Sequence, residues 1–241
     1  MFWPFALALV TASAAPEAAP SERLVDRVVA EVGGTVITLS ELEFETRLVL
    51  LKARGPEVAW AARLEPELLS AVLHSIVHRE LLLAEVRRLQ LRDPDPEIVD
   101  RAADELESRF VSAGDFSRFL ERVGIKDAQD TQRVPAALAA ILKAELLVER
   151  FLDVRIRLNT DPTREEVRAC FDKNASKLGG RSFETLRERI AQRIREEREQ
   201  RALESLVEQL AKRTEVVYLQ PFEPPDPDRE KVENLELSCL N

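Results

Sequence analysis

The chain has 241 residues, 45% of them hydrophobic, 33% charged and only 5% aromatic, and it carries a formal net charge of −9. This balance fits a helix-rich protein of one or two domains with enough chain to bury a sizeable core. It argues against a helical membrane protein, since no apolar run approaches the roughly 20 residues a bilayer span needs, and against general nucleic-acid binding, since an acidic surface repels phosphate.

Phe2 to Val10 is apolar and is followed by Ala12-Ser13-Ala14, an A-x-A cleavage pattern. Residues 1–14 therefore read as a signal peptide cut after Ala14, residues 15–23 as a flexible mature N-terminus, and the protein as periplasmic. No Lys or Arg precedes the apolar stretch. Either the amino terminus alone supplies the positive charge, or part of the signal lies upstream of Met1.

Leu24 to Val32 reads as a strand, Gly33-Gly34 as a tight hairpin turn and Val36 to Leu39 as the return strand. Ser40 and Glu43 match a capping box opening a first helix that ends before Gly55-Pro56. A second helix, Glu65 to Leu91, has a broad apolar face. A third starts at Pro96 and bears Ile98, Ala102, Leu106 and Phe110, and a fourth runs from Phe116 to Val123. A fifth spans Ala128 to Arg157, with Pro135 either kinking it or marking its true start. Asp161 and Pro162 suggest the cap and first residue of a sixth helix reaching Leu178, and a seventh extends from Phe183 to Lys212. Its Arg and Glu residues read as a solvated face laced with ion pairs.

Glu215 to Leu219 is a final short strand. A lone hairpin is marginal in water, so this strand is expected to return beside the first one. The predicted fold is mainly α: a multi-helix domain over 24–219, with a small sheet formed by the N-terminal hairpin and the C-terminal strand. Residues 220–241 are rich in Pro and charge and are expected to be disordered.

Chemistry is sparse. His74 and His78 share a helix face, but Ser75-Ile76-Val77 between them breaks the H-E-x-x-H pattern, and they are the only two histidines. They read as ordinary helix residues. Cys170 and Cys239 build no disulfide framework. Cys170 reads as a buried small hydrophobe, and a bridge between the two stays open in an oxidising compartment. There is no G-x-S-x-G elbow and no glycine-rich phosphate loop, and no catalytic residue, metal or cofactor is expected.

The stretch Val25-Asp26-Arg27-Val28-Val29-Ala30-Glu31-Val32, the glycine turn and Val36-Ile37-Thr38-Leu39-Ser40-Glu41-Leu42 resemble the opening of the SurA family of periplasmic chaperones. The helices after it follow that family's order, and the resemblance covers Leu24 to Leu219. It implies a peptide-binding domain of the SurA N-terminal, trigger-factor C-terminal kind. The family commonly carries parvulin prolyl isomerase domains before the last long helix. Here Leu178 to Ser182 leave no room for one, and the parvulin histidines are missing. The resemblance therefore implies an ATP-independent holdase for unfolded outer-membrane or periplasmic proteins, with no stable membrane insertion and no enzyme activity. A dedicated single-partner protein of a secretion or outer-membrane system is the alternative, and a prolyl isomerase is disfavoured. Phe110, Phe116 and Phe119 are the candidate peptide-binding residues.

Overall fold

Gly33 and Gly34 sit at φ +54° and +85°, the left-handed conformations that a two-residue hairpin turn demands. The computed structural model describes residues 26–125, 134–175 and 180–223. In it, β1 (Val28–Val32) turns into β2 (Thr35–Thr38). The pairing slips between Val28 and Ala30. This bulge breaks strict alternation, so Val29 and Ala30 are both buried while Glu31 faces out.

The missing partner of the hairpin is β3 (Val216–Tyr218). It lies antiparallel to β1, with Ala30 opposite Tyr218 and Val32 opposite Val216, and the sheet order is β2-β1-β3. The turn itself meets the approach to β3. The Gly33 N–H donates to the Glu215 carbonyl at 2.9 Å, and a Cβ on Gly33 would stand 2.8 Å from the Thr214 methyl. Glycine is required there twice over, for its φ and for the close approach.

Between β2 and β3 run α1 (Leu39–Arg54), α2 (Pro56–Ala61), α3 (Pro66–Arg88), α4 (Pro96–Glu107), α5 (Ala113–Arg122), α6 (Ala136–Arg155), α7 (Arg164–Lys173) and α8 (Phe183–Ala211). Several starts differ from expectation. The capping box of α1 is Thr38 with Glu41, not Ser40 with Glu43. The sequence offers both overlapping boxes, and Ser40 is recruited elsewhere, its hydroxyl donating to the Asp26 carboxylate. Pro135 is the cap residue of α6, so it marks the start and makes no kink; residues 126–133 lie outside the described residues. Thr163 with Glu166 caps α7, and Asp161 is drawn away to Arg195 at 2.6 Å. The short α2 is a helix that the sequence pattern does not predict.

The buried side chains form three clusters. In the first, β1 and Ile37 pack with α3, Leu147 and Phe151 of α6, and Val207 and Leu210 of α8. The second joins Phe44, Leu48 and Leu51 of α1 to α2, α4, α5 and the first half of α6. The third, among the described residues, holds Val167 and Cys170 of α7 against Phe183, Leu186, Ile190 and Ile194 of α8. At 1.5 Å per residue α8 is about 43 Å long, and it spans from the third cluster to the first. The α7–α8 hairpin is therefore an arm with its own small core.

The segment expected to be disordered begins differently. Phe222 is buried within the first cluster, and the Glu223 carbonyl lies 3.0 Å from His74 Nε2. Residues 220–223 are thus docked; residues 224–241, like the proposed signal segment, lie outside the described residues.

Phe222→Ala is expected to lower unfolding stability by about 3 kcal/mol, read as a shifted urea midpoint; an unchanged midpoint would mean that the ring is not part of the core. Burial also pushes the phenol of Tyr218 up to about 12. A proton held more tightly in the folded state stabilises the fold below the unfolded value of about 10, and that contribution is lost as pH rises through about 12. Tyr218 is the only tyrosine, so phenolate absorbance should titrate higher in the folded protein than in urea, and Tyr218→Phe should flatten the alkaline loss of stability.

Candidate functional site

The three phenylalanines singled out from the sequence come together, but mostly inside. Phe119 is 0% and Phe116 7% exposed, and Phe110 stacks on both at ring distances of 5.5 and 5.4 Å. They form the aromatic centre of the second core. In this structure Phe116 and Phe119 are packed inside the second core. Phe110 alone is half-buried, at the rim beside the fully exposed Val111.

The aromatic surface lies on the unanticipated α2. Pro56 at the first position and Glu57 in the first turn are helix-start signals, but six residues are too few to show a period. The carbonyls of Ala59 and Ala62 at the end of α2 each accept a 2.7 Å hydrogen bond from Arg47 Nη1 of α1, a cation on a helix C-terminus. This clamp holds Trp60 over the second core. Its inner neighbour is Phe119, with ring centroids 6.3 Å apart, and the Arg122 guanidinium of α5 lies 4.5 Å from its ring centre.

A cavity of about 390 Å³ opens beside this stack. Phe44, Ala59, Trp60 and Leu64 supply apolar walls, and Glu43, Arg47 and Arg122 charged ones. Among the described residues no carboxylate pairs with Arg47 or Arg122, and no base pairs with Glu43. A more voluminous open groove of about 790 Å³ lies between the Arg92–Pro96 stretch, Val99 of α4, and Ala136, Ala139 and Lys143 of α6. Both are apolar-floored and charge-rimmed, suited to covering a side chain or two rather than to enclosing a small molecule.

A polar layer sits where α1 and α6 pass from the first core to the second. Glu45 accepts two hydrogen bonds from Arg79 of α3, at 2.5 and 2.6 Å, with side chains only 12% and 15% exposed. Nearby, Lys52 meets Glu145 of α6 at 2.6 Å. Burial works against the Arg79 charge, and Glu45 outweighs it, holding the guanidinium above its ordinary value. Arg79 Nε has no hydrogen-bond partner.

Another polar set lies at the base of the arm. Arg195 and Arg198 of α8 reach Asp161 and Glu166, while Glu199 accepts from the buried Thr160 hydroxyl at 3.2 Å. The charged middle of α8 is therefore partly tertiary contact and only partly the expected face laced with i,i+4 ion pairs, as at Arg193 with Glu197. His74 contacts Tyr218 edge-on at 5.5 Å, a packing role. No group of three or more metal-ligating side chains occurs among the described residues. Cys170 is buried as expected; Cys239, and with it the bridge left open by the sequence, lies outside the described residues.

Glu45→Ala is expected to cost about 3 kcal/mol by removing both carboxylate hydrogen bonds of the buried Arg79 guanidinium, which keeps only Glu80, 3.9 Å from its Nε, as a counter-charge. The double replacement Glu45→Leu with Arg79→Met should recover most of that loss in a chemical unfolding series, and equal damage from both would show that the pair is not a coupled unit. No protein-family model matches the chain, and no curated protein matches it.

Proposed function

We propose that this protein is an exported, ATP-independent holdase that binds unfolded envelope proteins through open grooves on a helical body. The observation that carries the reading is the closure of the N-terminal hairpin by β3. It supports the resemblance of residues 24–219 to the SurA chaperones, because that resemblance requires the two ends of the chain to meet in one sheet around the helices.

The surface chemistry supports it further. An unfolded β-barrel protein offers extended chain with alternating apolar and aromatic side chains. Shallow walls such as Trp60 and Leu64, or Val99 and Ala139, cover such side chains without demanding one sequence. The negative net charge keeps a loaded complex dispersed. In this reading binding is passive, and release follows from the greater stability of the folded or inserted client. In the sequence only residues 174–182 separate α7 from α8, at the place where the SurA chaperones that the chain resembles carry an isomerase.

The test is aggregation of an unfolded outer-membrane β-barrel protein followed by light scattering. Several-fold molar excess of this protein should suppress scattering without ATP, and no suppression rejects the proposal. Co-purification from an envelope fraction should return many clients; a single stable partner would favour the dedicated-partner alternative. Proline isomerisation of a short peptide should proceed at its uncatalysed rate.

A further inference from the structure

We propose that the cavity between α1, α2 and α5 is a recognition pocket for the free C-terminus of a polypeptide whose last residue is apolar. The inference rests on the polypeptide-binding reading above and names what that surface selects.

The argument begins with charge. The chain carries −9 overall, yet this cavity is walled by two guanidinium groups and one carboxylate. The Arg122 guanidinium stacks on Trp60, and a guanidinium lying on an aromatic face keeps its N–H edge available. Arg47 spends Nη1 on two carbonyls and has further donors left. A ligand with a carboxylate satisfies both, and charge-assisted bonds to guanidinium are the stronger kind.

The walls beside those cations are apolar: Phe44, Trp60 and Leu64. The ligand must therefore present an apolar group close to its carboxylate. In extended chain, neighbouring side chains point to opposite faces, so an Asp or Glu side chain and an adjacent apolar one diverge. An α-carboxylate and its own side chain leave the same Cα and fit one small cavity together. Glu43 completes the selection. Its carboxylate can accept the amide N–H of the terminal residue, a donor that a fatty acid lacks.

The experiment uses the full chain and a labelled hexapeptide ending in Leu, prepared as the free acid, as the C-terminal amide, and as an amide with an internal Asp. Fluorescence anisotropy should show saturable binding of the free acid and binding at least about tenfold weaker for both amides, the effect of losing one charge-assisted contact. Arg122→Gln should bind acid and amide alike, while Arg122→Lys should keep a reduced preference for the acid. Equal binding of acid and amide by the wild-type protein overturns the proposal, as does tight binding of the internal Asp peptide. Aggregation suppression is measured on the same preparations. Suppression without acid preference rejects this pocket and leaves the holdase reading standing; acid preference without suppression does the reverse.

Discussion

Everything in this molecule depends on β1 having both edges filled. β2 reaches one edge through a two-residue turn, at small entropic cost. β3 reaches the other only after the helices have been laid down, yet loop-closure entropy rises slowly with length, so distance along the chain is not prohibitive. What decides the pairing is where α8 delivers the chain. Val207 and Leu210 bury against α3 beneath the sheet, and Gly33 leaves space for Thr214 to pass. Helix packing and strand pairing therefore reinforce one another: neither a three-residue strand nor the last turns of a charged helix would hold alone.

Three small cores are joined by elements that belong to two at once. α1 and α6 each contribute to the first and second, and the Glu45–Arg79 pair lies at the crossing. A buried ion pair adds little net stability but punishes any packing that separates its partners, so it fixes how α1 sits on α3. The third core is different. It touches the body through the unbroken α8 and through ion pairs that are largely solvent-exposed, each of which contributes little in water. Helix continuity, more than the salt bridges, sets where the arm stands.

The chain has few aromatic residues and uses them in two ways. Phe110, Phe116 and Phe119 fill the second core, where their area is most stabilising. Trp60 is placed on top of them, apolar on its inner side and capped by a cation on the outer. Phe119 and the Arg47 clamp support this wall from behind.

Local patterning decided much in advance. The glycine turn, the proline and polar helix starts, the longer helices and the final strand are written in short-range periodicity and capping residues, and most of their described ends fall within a few residues of expectation; the fifth predicted helix starts only at Ala136, not Ala128. Where two local signals overlapped, as with Thr38 and Ser40 or Asp161 and Thr163, only tertiary partners chose between them: Asp26 claimed Ser40 and Arg195 claimed Asp161. Burial was the other matter left to the fold. An amphipathic stripe shows that Phe116 and Phe119 share a face but not whether that face meets another helix or a client. Trp60 lay on a helix too short to carry a period, and its cavity is assembled from α1, α2 and α5, whose adjacency no local pattern encodes. Sequence by itself determined the elements and their order, because helices and turns are set by neighbours in the chain; the tertiary structure alone decided which faces were used up in packing, because that depends on residues far apart in it.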